Sequence, residues 1–190
     1  MGRWEPNARD RLAQAALDLY SERGFEQTTA AQIAERAGLT ERTFFRHYAD
    51  KREVLFGGSE LLEKAFVDSM AAIPASVAPV DAIATTLETV ASYFTDRHDY
   101  ARRRRDVINA HPGLRERELI KIASLSAALE TTLRDRGVPA HAASLAAEAA
   151  MAVFKVGFER WADTEEEHPM ADFFRESLDE LRNVFAGKAS

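Results

Sequence analysis

Cysteine is absent from all 190 residues, so a disulfide framework, a thiolate metal site and thiol catalysis are excluded, and stability has to come from packing. No apolar run approaches the roughly 20 residues of a membrane span. The first residues, Met-Gly-Arg-Trp-Glu-Pro, lack the apolar stretch of a secretory signal, and the two absences together predict a cytoplasmic protein. Period-2 runs of β-branched residues are missing too, which leaves β-strands without a signal. Catalytic signatures are equally scarce. His47, His98, His111, His141 and His168 form no HExxH spacing, no Gly-rich phosphate loop follows a strand, and no nucleophile motif stands out. Acidic pairs such as Asp99 with Asp106 are accounted for by helix surface charge, so neither an enzyme nor a cofactor is expected.

What is present is 46% hydrophobic and 29% charged, enough for one sizeable core or two small ones, and this excludes a disordered chain. The net charge of -6 argues against a generally basic, nonspecific nucleic-acid binder. Its distribution is uneven. Residues 1–56 hold nine Lys and Arg against nine Asp and Glu, and the whole excess of six negative charges lies beyond them. A neutral head on an acidic body is turned toward phosphate, because the body is repelled.

Apolar residues recur at helical spacing in almost every segment, so the fold class is all-α with about nine helices. Ala8, Leu12, Ala15, Ala16 and Leu19 mark a first helix from about Pro6 to Arg23, with Pro6 in its first turn and Gly24 as its left-handed stop. Thr29-Ala30-Ala31-Gln32 is a capping box that opens a second helix, which Gly38 ends. Thr40 caps a short third helix to about Tyr48. Asp50-Lys51-Arg52-Glu53 signals a longer helix to about Met70, bent at the pair Gly57-Gly58. After the break from Pro74 to Pro79, periodic segments occur at 80–97, 100–110, 113–136, 140–163 and 170–186, joined by short loops that suit antiparallel neighbours. The boundary near Gly57-Gly58 divides the chain into 1–56 and 57–190.

A helix ending in Gly, a tight turn and a second short helix make a helix-turn-helix, a shape that also occurs in proteins that never touch DNA. The second helix adds chemistry. Thr40, Arg42, Thr43, Arg46 and His47 are donors, and Lys51 stands at the next N-terminus, a set that suits phosphate and base-edge contacts in a major groove. Residues 10–56, above all Gly24-Phe25, Thr28-Thr29, Ile33-Ala34, Ala37-Gly38-Leu39-Thr40, Thr43-Phe44-Phe45, His47-Tyr48 and Lys51 with Leu55, resemble the DNA-binding domain of TetR-family regulators.

The resemblance implies phosphate contacts from Thr29, Thr40, Thr43, His47 and Lys51, and a groove-facing set of Glu41, Arg42 and Phe44. Arg42 is then the base reader, since a bidentate arginine-guanine pair discriminates by roughly 1–3 kcal/mol. Phe45 departs from the tyrosine usual in the family, which removes a hydroxyl contact that Arg46 or Tyr48 can replace. Against these roles stand ordinary ones: Phe44, Phe45 and Tyr48 as core, Thr29 and Thr40 as helix caps.

Beyond Gly58, the helices near 140–163 and 170–186 carry Phe158 and Trp161, and Phe173, Phe174, Leu178, Leu181 and Phe185. In the TetR family such a pair packs against its twofold mate, so these residues are assigned to a homodimer interface, part of them remaining intrachain core. Two heads also suit two half-sites about 34–36 Å apart. The run Arg102-Arg103-Arg104-Arg105 turns about 100° per residue on a helix, so at most one or two of its arginines face inward. It is read either as a solvated face or as an anion site. The stretch from Arg102 to Leu119, with Asn109-Ala110-His111-Pro112, resembles the C-terminal domain of regulators typified by the mycofactocin biosynthesis repressor. That resemblance implies an acyl-coenzyme A effector, with Arg102 and Arg105 for phosphates and an apolar tunnel for the chain.

Phe66, Phe94, Ile108, Ile122, Met151 and Phe154 are the expected pocket walls, with a filled core as the alternative. The chain is therefore read as a ligand-responsive repressor that binds operator DNA as a homodimer and is released by a small, largely apolar effector. A helical interaction module whose helix-turn-helix only packs is the competing class, and DNA footprinting separates the two.

Overall fold

The structure, a computed structural model, describes residues 7–165 and 168–188. Among the described residues there are nine α-helices and no strands, as the periodicity predicts. None of these helices is long and apolar enough to cross a membrane. The chain divides into two compact units, one of Met1–Ser59 with Arg103–Glu118 and one of Glu60–Arg102 with Leu119–Ser190. The first thus takes in 103–118, a stretch that a division drawn along the sequence at Gly57 assigns to the other unit.

In the first unit, α1 (Ala8–Arg23) starts at Asn7, whose side chain accepts the Asp10 amide at 3.0 Å. Pro6, expected in its first turn, lies outside the described residues. α2 (Ala30–Arg36) and α3 (Glu41–His47) are seven residues each, too short to be stable alone, and are held by their caps and by the face they bury. Leu12, Ala16, Ile33, Ala34 and Phe44, each at most 1% exposed, form the centre of this small core.

The long helix expected from Asp50 to Met70 does not form. Asp50 does cap, its Oδ1 accepting the amides of Arg52 at 2.7 Å and Glu53 at 3.1 Å. The segment it opens is only a 3₁₀ turn, Glu53–Phe56, which stops at Gly57-Gly58 before α4 (Ser59–Ala72) begins afresh. Two adjacent glycines, each a poor helix former, break the helix where a bend was expected.

The second unit holds α4, α5 (Pro79–Ala91), α8 (Ala140–Asp163), α9 (Met170–Phe185), and the remaining parts of α6 (His98–Asn109) and α7 (Pro112–Asp135). Its core is aromatic. Phe154 lies with its ring centroid 5.5 Å from both Phe66 and Phe174 and 6.2 Å from Phe158, while Phe94 meets Trp161 at 5.9 Å. α8 and α9 approach closely at Gly157, where an added Cβ would stand 2.6 Å from the Phe174 ring. Arg136, after the end of α7, donates to the carbonyls of Met70 at 2.9 Å, Ile73 and Pro74 at 3.1 Å. It thereby satisfies carbonyls at and beyond the end of α4 that have no partner within the helix.

Candidate nucleic-acid interface

The capping box expected at Thr29 is complete: its hydroxyl accepts the Gln32 amide at 3.2 Å, and Gln32 Oε1 accepts the Thr29 amide at 3.0 Å. After α2 the chain turns at Gly38, whose φ of 66° is the left-handed region that glycine enters without strain. Arg11 of α1 donates to the Ala37 carbonyl at 2.5 Å, which ties the end of α2 to α1. Thr40 then caps α3, accepting the Thr43 amide at 3.2 Å, and its hydroxyl lies 3.0 Å from that of Thr43. A hydroxyl can cap a helix and still offer hydrogen to an anion at the same N-terminus.

Around α3, exposure tracks the helical turn. Glu41, Arg42, Phe45 and Arg46 are exposed and occupy one contiguous face, Thr43 and His47 are half-buried at its margin, and Phe44 and Tyr48 point inward. This corrects one assignment. Phe44, expected to face the groove, is 0% exposed, whereas Phe45 is 53% exposed and stands edge-on to it with centroids 5.3 Å apart. The outward aromatic is therefore Phe45. Phe44 lies four residues before Tyr48, with ring centroids 5.8 Å apart, and that spacing was the signal for its inward face.

Lys51 is engaged in a different way from the phosphate contact expected of it. Its ammonium donates to the carbonyls of Phe25 and Thr28, both at 2.9 Å, and lies 4.2 Å from the centre of the Phe25 ring. Tyr20 closes the same corner, donating its hydroxyl to the Lys51 carbonyl at 2.5 Å, and burial raises its pKa above the usual phenol range, with Asp50 adding to the effect. Lys51 thus positions the turn at 24–28, which delivers Thr29 to the surface. The Asp50 carboxyl is held below the usual carboxylate range: partial burial opposes ionisation, but Arg52 and the two capped amides outweigh it.

The arginine run is not one surface. Within the first unit, Arg103 pairs with Asp18 at 2.8 Å, and Arg104 donates to the Leu55 carbonyl at 2.7 Å while gripping Glu118 with both terminal nitrogens. Arg105 is turned onto Asp106 at 2.9 Å. Arg102, in the second unit, is exposed and pairs with Asp99 at 3.3 Å. Of the residues expected to wall a pocket, Phe66, Met151 and Phe154 are buried in the core of the second unit, with Phe94 and Ile122 packed against it. Ile108 is buried in the first unit.

Three of the residues assigned to a dimer face, Trp161, Phe174 and Leu178, are instead intrachain core, at most 4% exposed. They obey the periodicity of their helices, but on the side turned to the core. Phe158, Phe173 and Leu181 are half-buried and Phe185 is 81% exposed. Leu181 and Phe185 line a shallow apolar groove of about 230 Å³ with Pro79, Ile83 and Ala150.

Residues 12–56 match the bacterial regulatory proteins of the tetR family, and residues 77–186 match the MftR C-terminal domain, so both resemblances read from the sequence are met. The HTH-type transcriptional regulator TcmR of Streptomyces glaucescens is 38% identical over 82 residues, which cover 43% of this chain and only 36% of that protein. Among solved structures, FadR of Thermus thermophilus, a TetR family transcriptional repressor in complex with lauroyl-CoA, is 22% identical with a TM-score of 0.56, covering 94% of each chain. FadR of Bacillus subtilis in complex with stearoyl-CoA is 16% identical with a TM-score of 0.62, over 90% of this chain and 96% of that one. At these identities the likeness is one of fold.

Proposed function

Because the chain belongs to the tetR family of bacterial regulatory proteins, we propose that it is a cytoplasmic repressor that holds a palindromic operator as a homodimer and releases it on binding an acyl-coenzyme A. The observation that carries the DNA-binding part is the outward face of α3. Glu41, Arg42, Phe45 and Arg46 stand together, flanked by the cap hydroxyls of Thr29 and Thr40 and by the half-buried Thr43 and His47. Arg42 reads a base edge, and the hydroxyls and His47 meet phosphates.

The homodimer is supported by apolar side chains left at the surface of α8 and α9. Leu145 and Val156 are 73% and 51% exposed, and with Ala149 and Ala152 they recur at spacings of four, three and four along one face of α8. Val184 and Phe185 add to them from α9. The effector class is supported by the acyl-coenzyme A held in the two similar structures and by the aromatic interior of the second unit, which suits an alkyl chain once Phe66, Phe94, Ile122, Met151 and Phe154 repack around it. Of the arginine run, Arg102 is the member that lies in the second unit, and it is exposed there for a phosphate.

Selection of binding sites from the genome of origin, followed by footprinting, tests the first part. A protected palindrome is expected, and no protection of any genomic fragment at low salt overturns it. Arg42→Ala is expected to relax discrimination at one position by roughly 1–3 kcal/mol. Titration calorimetry with lauroyl-CoA and stearoyl-CoA tests the effector. An absence of heat with both, and of operator release, removes that class.

A further inference from the structure

The turn at 24–28 is held from two sides inside the first unit. Lys51 covers one face of Phe25, with its ammonium on the carbonyls of Phe25 and Thr28. His111, in the junction between α6 and α7, packs against the same ring with centroids 4.7 Å apart, and its Nε2 lies 2.5 Å from Glu26 Oε1. A cleft of about 260 Å³ adjoins the pair, lined by Tyr20, Arg23, Glu26, Val107, Ala110 and His111 among others. The other nitrogen of the imidazole, Nδ1, is buried and has no hydrogen-bond partner among the described residues.

We propose that His111 is a proton-sensitive latch on this turn, closed when the imidazole is neutral and opened when it takes a second proton. The proposal rests on reading α2 and α3 as the DNA-binding element. A neutral ring with hydrogen on Nε2 donates to Glu26 and leaves Nδ1 as a bare acceptor, a modest cost. Protonation turns the Glu26 contact into an ion pair, but that carboxylate is 69% exposed, so the gain is screened by water. The same proton places a cationic N–H where nothing accepts it, and an unmet buried donor costs more than an exposed ion pair contributes. Swinging toward the open cleft brings Nδ1 to solvent and abandons the Phe25 and Glu26 contacts.

The charges around the ring point the same way. Glu26 is the anion in contact with it, Arg23 lines the cleft with Glu22 4.0 Å away, and Lys51 lies across the Phe25 ring, while burial, with Asp50 adding, keeps the Tyr20 phenol neutral. Glu26 itself is held below the usual carboxylate range, first by the hydrogen bond from His111, with desolvation opposing and the Lys51 charge adding. It therefore remains ionised wherever an imidazole titrates. An open latch frees one side of the turn that seats Thr29, the cap of α2, and so weakens the DNA-competent arrangement.

The test uses the full chain and its selected operator fragment at constant ionic strength, from about pH 8 to about pH 6, across the ordinary imidazole range. His111→Gln keeps an amide donor for Glu26 and takes no proton, and His111→Asn is a second neutral variant. The unaltered protein is expected to lose about fivefold in affinity relative to either variant on acidification, as proton linkage requires if the bound form prefers the neutral ring. Every other titratable group is common to all three proteins and cancels in the ratio. Parallel pH profiles overturn the latch.

A DNA-free readout is the hydrogen-exchange protection of the Thr28 amide, which donates to the Phe25 carbonyl at 3.3 Å. Corrected for intrinsic exchange, it should fall with acid in the unaltered protein alone, and equal protection in all three proteins overturns the proposal. Failure of every protein to bind operator at any pH sinks the DNA-binding reading instead, and the amide result then decides the latch.

Discussion

The two units are held together by different means. In the first, side chains reach for backbone carbonyls: Arg9 for Gly57, Arg11 for Ala37, Tyr20 for Lys51, Tyr48 for Arg9, Lys51 for Phe25 and Thr28, Arg104 for Leu55. In the second, helices of up to 24 residues bury whole faces around Phe66, Phe154 and Phe174, and Arg136 is the main side chain with a comparable carbonyl role. The contrast comes from size. Helices of seven residues cannot bury enough apolar surface to set their own orientation and must leave a polar face free, so directional bonds do the positioning. Long helices set theirs by packing, which has no direction but a large total.

Substitutions that remove one kind of support should therefore separate the units. The largest effect is expected in the second: Phe174→Ala empties the centre of the α8 and α9 contact and should cost about 3–5 kcal/mol in urea denaturation. A loss below that of a surface change would mean that the core collapses around the gap. Next comes Lys51→Ala in the first unit, which removes charge-assisted bonds of roughly 1.5–3 kcal/mol in total. It should weaken every operator sequence and expose the Thr28 amide to exchange. If it instead only lowers the salt dependence of binding by about one ion, Lys51 meets phosphate and the positioning role fails.

Thr40→Ala removes the α3 cap and should cost about 1 kcal/mol by thermal unfolding, while Thr40→Ser should restore most of it. The smallest effect concerns acid. The carboxyl of Asp50 is depressed in the folded state, so the unfolded chain takes up its proton first as pH falls. Its contribution is complete above the ordinary carboxylate range and lost as pH drops through the folded value. Asp50→Asn should flatten the acid limb of the stability profile of the first unit, and an unchanged limb would show that the cap contributes nothing there.

How much was legible in the sequence differs between the units for related reasons. The caps at Thr29 and Thr40 are local, formed by residues three apart, and both are present as expected. Phe44 and Phe45 are adjacent, so a step of one residue turns the outward face by about 100°. Periodicity over seven residues is too short to resolve that, and only the inward side of Phe44 settles it. Gly57-Gly58 was visible as a weakness, but whether a helix bends or stops there depends on what its ends gain elsewhere. The run at 102–105 could be counted but not apportioned, because its partners, Asp18, Leu55 and Glu118, are distant in sequence or carry no marking motif.

The sequence by itself determined the all-α class, the helix-turn-helix, the family and most helix limits, though not those of the segments expected at 50–70 and 80–97, because each rests on spacing within a few residues or on a match to a recurring pattern. Only the tertiary structure decided which aromatic of α3 faces outward, that Lys51 clasps carbonyls, that Trp161, Phe174 and Leu178 are interior, and that 103–118 belongs with the first unit. Those outcomes depend on which surfaces meet across long sequence separations. Burial and hydrogen bonding are settled by that meeting, not by the residues alone.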